Sequence, residues 1–196
     1  MHRAKTIRLI WLCALVLLVG CEPRQHLIEQ HLLEFGTIIE ITMIDSDLLR
    51  AQSLLEQIEQ RLRRQRNQWH AWEDSDLTRF NRSLQQHSSA QIPDSLAALL
   101  QLSRRYYDAT GGLFNPALGK LIAAYGFHGA DTDANATAEI RRDIPGMHDL
   151  DIDGDIATSR NPNLQIDLGG IAKGYAIGQI ADFLDANGVE HLSLIH

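Results

Sequence analysis

From Thr37 to Met43 the chain reads TIIEITM. Ile39, Ile41 and Met43 alternate there with Ile38, Glu40 and Thr42, which is the two-residue period of a half-buried strand. The period then changes. Leu48, Leu55, Ile58 and Leu62 recur at helical spacing and predict a helix from about Asp47 to Gln68 with those leucines and isoleucine as its inner stripe. HAWEDSDLTRFN, His70 to Asn81, keeps neither period and reads as a loop. A second helix opens at Pro93-Asp94-Ser95 and closes near Ala109-Thr110-Gly111-Gly112, where glycine can take the left-handed cap. After an irregular stretch, Leu150–Ile152 and Ile156–Thr158 flank Asp153-Gly154, a hairpin turn signal. A buried strand at Leu164 and Ile166 runs through Gly169-Gly170 into a helical pattern of Ile171, Tyr175, Ile180 and Leu184, which stops at Asn187-Gly188. Leu192-Ser193-Leu194-Ile195 is strand-like again. Hairpins mixed with crossover helices predict an α+β fold of mixed α/β layers.

The start of the chain has another character. MHRAKTIRLIWLCALVLLVG sets Arg3, Lys5 and Arg8 ahead of an apolar run, as an export signal does, and it is too short to prefer a spanning helix. It ends in Leu18-Val19-Gly20-Cys21, which resembles the lipobox of bacterial lipoproteins. The expected organisation is therefore a signal peptide at 1–20, a lipidated Cys21 opening a tether at 21–34, and one domain at 35–196. About 175 residues suffice for one domain with a real core. The other cysteine, Cys13, falls in the segment that would be removed, so no disulfide framework is expected.

Removing the signal also removes three of the 18 basic residues against 25 acidic ones, which leaves 15 − 25 = −10. That balance excludes a nucleic-acid surface. RLRRQR, Arg61 to Arg66, is the nearest basic cluster and reads as the solvated face of the first helix.

The stretch with the most chemistry is QIDLGGIAKGYAIGQI, Gln165 to Ile180. Two adjacent glycines between a strand and a helix let backbone N–H groups at the helix N-terminus approach an anion such as phosphate. Familiar motifs do not fit it. Lys173 precedes Gly174 and Tyr175, which is not a Walker A order, and Gly169, Gly170 and Gly174 lack dinucleotide-fingerprint spacing. Asp151, Asp153 and Asp155 begin like a calcium loop, but Ile156 and Pro162 break it. The nine histidines have no zinc-site spacing, and no G-x-S-x-G is present.

Taken in order, Gly36-Thr37, WEDSDLTRFN at Trp72 to Asn81, TGGLFNPALGKLIAAYGF at Thr110 to Phe127 and IDLGGIAKGYAI at Ile166 to Ile177 closely resemble the ApbE family of FAD:protein FMN transferases, over about Phe35 to His196. The resemblance implies an ApbE-like fold and a metal-dependent transfer of FMN from FAD to a threonine or serine hydroxyl of an acceptor flavoprotein, with release of AMP. Family analogy makes that acceptor a subunit of a membrane redox complex. It implies FAD contacts at Asp167 and Lys173, and a magnesium ligand in the backbone carbonyl of Gly170. Leu113, Phe114 and Asn115 match an Ala-Phe-Asp run beside the cofactor, with an amide at Asn115 in place of the carboxylate. Phe35 stands where many members have methionine beside the flavin. Trp72, across a one-residue gap, stands for an aromatic near the isoalloxazine. Arg79 and Asn81 read as loop-fixing residues, and no catalytic residue is singled out.

The family's other magnesium ligands, an aspartate and a threonine, belong to a C-terminal section not found in these 196 residues, and one carbonyl cannot hold a cation that wants six oxygens. Taken literally, the chain is therefore expected to be poorly folded and inactive as a transferase. A lipoprotein that binds FAD without transferring it, or a structural envelope lipoprotein, are the other classes left open. Export would place the domain at the periplasmic face of a bacterial membrane. Glu22 is not the aspartate associated with inner-membrane retention, so the choice of membrane stays open, with the inner membrane favoured.

Overall fold

The computed structural model describes residues 25–129 and 131–195. The expected signal peptide and Cys21 lie outside the described residues. Strands β1 (His26–Glu34) and β2 (Thr37–Asp45) form an antiparallel hairpin in register from His26↔Asp45 to Glu34↔Thr37. Most of the stretch read as a tether is therefore strand, because Ile28 and Leu32 of β1 turn inward to pack on the core. Both central residues of the hairpin turn have positive φ, Phe35 at 53° and Gly36 at 71°, which matches the twist of the flanking strands.

Helix α1 (Leu48–Trp69) covers the inner face of this hairpin. Asp47 caps it by accepting the N–H groups of Leu49 and Arg50. Its buried stripe is Leu54, Leu55, Ile58, Leu62 and Trp69, while Leu48, expected inside, is half exposed at the first turn. The predicted loop at 70–81 contains the start of a second helix, α2 (Asp76–His87). A capping box starts it. Ser75 Oγ accepts the Thr78 N–H, and Thr78 Oγ1 accepts the Ser75 N–H. Strand β3 (Ser89–Gln91) leads to helix α3 (Asp94–Ala109), which Gly111 and Gly112 terminate at positive φ. Short helices α4 (Gly119–Ala124) and α5 (Ala134–Ile140) fill the irregular middle. The hairpin of β4 (Leu150–Asp153) and β5 (Ile156–Ser159) turns at Gly154 and joins β3 in a second antiparallel sheet ordered β3-β5-β4. Helix α6 (Ala172–Ala186) precedes β6 (Leu192–Ile195), which pairs antiparallel with β2 to complete a sheet ordered β1-β2-β6. The α+β expectation holds. Among the described residues, no helix is long and apolar enough to cross a membrane.

The predicted strand at Leu164–Ile166 is an extended segment with a single bridge, Leu118↔Gln165. Backbone hydrogen bonds tie it to the 116–119 stretch: Asp167 N–H to Pro116 O at 2.8 Å, Gln165 N–H to Ala117 O at 3.3 Å and Gly119 N–H to Gln165 O at 2.8 Å. A Cβ on Gly119 would sit 2.8 Å from the Gln165 carbonyl oxygen, so only glycine permits this approach. Among the described residues, the other edge of the segment meets no strand. There the buried Asn81 of α2 takes the place of one, its Nδ2 donating to Ile166 O and its Oδ1 accepting Ile166 N–H, both at 2.8 Å.

Asn81→Ala would leave both Ile166 groups unpaired in the interior, at a cost of about 1–3 kcal/mol for each such group. We expect a loss of roughly 2–4 kcal/mol in urea unfolding. Arg79→Ala, which breaks only exposed pairs with Asp74 and Asp76, should shift stability by less than about 1 kcal/mol.

Candidate functional site

Two cavities flank the N-terminus of α6. The larger, about 610 Å³, is lined by Leu102, Tyr106 and Thr110 of α3 and its cap, by Phe114, by Gly170 just before α6, and by the α6 face that carries Gly174 and Gly178. The smaller, about 320 Å³, is lined by the turn residues Phe35 and Gly36, by Arg66 and Trp69 of α1, by Trp72, and by Gly169 and Lys173. Gly169 and Gly170 stand at the boundary, one in each lining.

Aromatic rings form the walls. Phe35 packs on Trp69 with centroids 6.2 Å apart, and Trp69 packs on Tyr175 at 5.8 Å, so one continuous stack runs from the small cavity to the large one. Trp69 is fixed by its Nε1–H, which donates to Ser95 O at 2.8 Å. In the large cavity Tyr106 meets Phe114 edge-on at 6.2 Å. The Trp72 ring stands edge-on to His70 at 4.5 Å.

Three local devices keep the boundary open. Asp167 Oδ1 accepts the Gly169 N–H at 2.7 Å and bends the chain before the helix. Gly170 carries no side chain where a Cβ would lie 3.2 Å from the Phe114 ring. No side chain caps α6, and among the described residues no backbone N–H bonds to the Gly170 carbonyl. The first amide of this fifteen-residue helix, Ala172 N–H, donates to Leu168 O at 2.8 Å, while the next two residues, Lys173 and Gly174, line one cavity each at a helix end whose dipole favours an anion. Two cations border the small cavity, Lys173 and Arg66, the latter 3.9 Å from each of Glu34 and Glu73. The arrangement suits a ligand with a negatively charged middle and a flat ring at one or both ends.

The ApbE family profile matches residues 35–194. The chain belongs to the ApbE family. It is 34% identical over 161 residues to a protein of Rhodobacter capsulatus named FAD:protein FMN transferase, an alignment covering 79% of this chain and 31% of that one. It is 29% identical over 192 residues to the Vibrio cholerae protein of the same name, covering 93% and 56%. Its fold superposes on the apo form of Pseudomonas stutzeri flavinyl transferase ApbE with a TM-score of 0.76 at 24% identity, covering 89% of this chain and 60% of that one. The flavin transferase ApbE of Vibrio cholerae gives 0.74, also at 24% identity, over 88% and 58%. The chain thus spans less than two thirds of the length of each of these relatives.

Among the residues that ApbE resemblance singled out, the fold brings Phe35, Trp72 and Lys173 to the small cavity and Phe114 and Gly170 to the large one. Asp167 acts on the glycine turn between them. Leu113 and Asn115 line neither cavity. Leu113 is 93% exposed, and Asn115 is turned into the protein, where Nδ2 donates to Pro145 O at 2.8 Å and Oδ1 accepts the Ala117 N–H at 3.1 Å. An aspartate there could not donate to Pro145, so the amide at Asn115 has a structural role of its own. Several lining residues escaped the sequence reading, Arg66 and Trp69 among them. Arg66 was grouped with the solvated face but borders the small cavity. Trp69 lies seven residues beyond Leu62 on the buried stripe, a spacing that marks it as inward-facing.

Gly178 lies inside a helix with open space where its Cβ would be. Gly178→Ala is expected to raise stability by about 0.5–1 kcal/mol while narrowing the large cavity. Gly170→Ala, pressed against Phe114, should gain no such stability. Thermal melts of the two variants side by side make the comparison.

Proposed function

We propose that the protein is an FAD:protein FMN transferase, moving FMN from FAD to the hydroxyl of a threonine or serine in an acceptor flavoprotein. The observation that carries this reading is the pair of aromatic-walled cavities meeting at an uncapped helix N-terminus with two cations beside it. FAD has that outline, two flat ring systems joined by a pyrophosphate, and the named function of the relatives agrees with it. In this reading the pyrophosphate lies against the α6 amides, Lys173 and Arg66 neutralise part of its charge, and Phe35, Trp69, Tyr175 and Phe114 hold the rings.

The chemistry is a displacement at phosphorus. The acceptor hydroxyl oxygen forms a bond to the FMN phosphorus, the bond from that phosphorus to the bridging oxygen breaks, AMP leaves, and the hydroxyl proton is lost. Catalysis of this type rests on positioning and charge neutralisation. A divalent metal would add further neutralisation of the pyrophosphate. The Gly170 carbonyl is one suitable oxygen, but among the described residues no group of three or more His, Cys, Asp or Glu side chains could hold an ion. These residues do not make a metal site by themselves. Lipid attachment at Cys21 and export to the periplasmic face of the membrane complete the proposal, on the lipobox-like sequence alone.

The test is to incubate the protein with FAD, magnesium and a candidate acceptor and to follow acceptor mass and AMP. An acceptor heavier by one FMN, with AMP formed in equal amount, is the expected result. FAD binding with no mass gain would instead identify a nucleotide-holding module. Lys173→Ala and Arg66→Gln should each weaken FAD binding by about 10-fold or more, the equivalent of one charge-assisted hydrogen bond, as read by flavin fluorescence titration.

A further inference from the structure

The N-terminal end of the described chain lies at the opposite end of the first hairpin from the proposed flavin site. β1 and β2 are nine residues each and in full register, so about 30 Å of strand separates the His26↔Asp45 pair from the Phe35-Gly36 turn. Gln25 lies at the far end, lining a small cavity with Ile44, Asp45, Ser46 and Arg50. α1 begins at that same end. Its first two residues are exposed leucines, Leu48 at 51% and Leu49 at 81%, and Leu27, two residues after Gln25, is 64% exposed.

Of the acidic groups nearest these leucines, Asp45 is directed into the protein and Asp47 stays exposed at the helix cap. Asp45 is buried and ion-paired with Arg50, and Asp47 is occupied in capping α1. Arg50 in turn donates to the Asn187 carbonyl at the end of α6. The exposed Glu190 and His191 line the same cavity. The helix start thus exposes two adjacent leucines next to its capping Asp47. The chain from Cys21 to Gln25 is four residues and can reach no more than about 14 Å when fully extended. If Cys21 carries lipid, as the proposed function holds, Gln25 cannot stand further than that from the lipid headgroups.

We propose that the end of the domain formed by Gln25, Leu27, Leu48 and Leu49 faces the bilayer, with Leu48 and Leu49 in its interfacial layer. The Phe35-Gly36 turn and its cavity are thereby held about one strand length, roughly 30 Å, above the surface. The partner is the lipid surface itself. Leucine side chains at an interface add apolar burial to an acyl anchor that is weak when single and firm when multiple.

The test uses the full lipid-bearing chain in vesicles of phosphatidylethanolamine and phosphatidylglycerol. A polarity-sensitive fluorophore is attached to Leu49→Cys or, separately, to Ile38→Cys, an exposed site next to the far turn. The proposal expects a blue-shifted emission at position 49 that headgroup-spin-labelled lipids quench, and an aqueous, unquenched emission at position 38. Equal aqueous spectra, or quenching at 38 alone, overturn the orientation while leaving the anchor intact. A Cys21→Ser chain that stays on the vesicles as firmly as the lipidated protein overturns the anchor, and the orientation argument with it. Because position 49 is exposed, the label there should leave the melting temperature unchanged, which the same samples can confirm.

Discussion

The site depends on two hydrogen bonds from one amide. The segment from Leu164 to Asp167 delivers the glycine turn and α6, yet it belongs to no sheet. One edge leans on the 116–119 stretch across Gly119, and the other would face unpaired backbone without Asn81, whose side chain donates to and accepts from Ile166. An amide is the side chain for this task, since it presents one donor and one acceptor on the same planar group, as a strand residue does. A carboxylate leaves the bond to Ile166 O unmade, and an aliphatic group leaves both unmade. Through that single residue, the cap that starts α2, the extended segment and the α6 N-terminus form one mechanical unit.

Much of this was legible in the sequence because it is written in periodicity. β2, α1, α3, the hairpin at Gly154 and α6 all come from apolar spacing with glycine or proline at the ends, and they appear close to their expected bounds. The failures have physical causes. β1 was missed because half of its residues face solvent and its sequence, HLIEQHLLE, mixes apolar and polar positions without clean alternation. The start of α2 was hidden in an acidic, polar run whose signal was the Ser75–Thr78 capping pair and not a hydrophobic stripe. The strand at 164–166 was expected to have strand neighbours, and a side chain supplies part of that pairing instead.

At the site, residue types are easier to read from the sequence than the directions of their side chains. The two-glycine joint, Asp167, Lys173, Phe114 and Phe35 were all nameable from motif resemblance. That Phe35 and Trp72 share a cavity with Lys173 while Phe114 shares another with Gly170 follows only from the fold. Arg66 looked like one of several helix-surface arginines, because which side of α1 meets the hairpin turn is set by packing. Asn115 shows the converse, a motif position whose side chain is engaged with Pro145 and Ala117 and so does not face the cavity beside it.

The positive φ of Phe35 sets two requirements against each other at one position. A left-handed turn residue with a bulky side chain carries backbone strain on the order of 1 kcal/mol or more, which glycine or asparagine would relieve. The ring that incurs this strain stacks on Trp69 and forms one wall of the small cavity. A laboratory selection for thermal robustness alone would therefore drift towards asparagine or glycine at position 35, and so would erode the pocket from its turn inward while the fold around it became more durable.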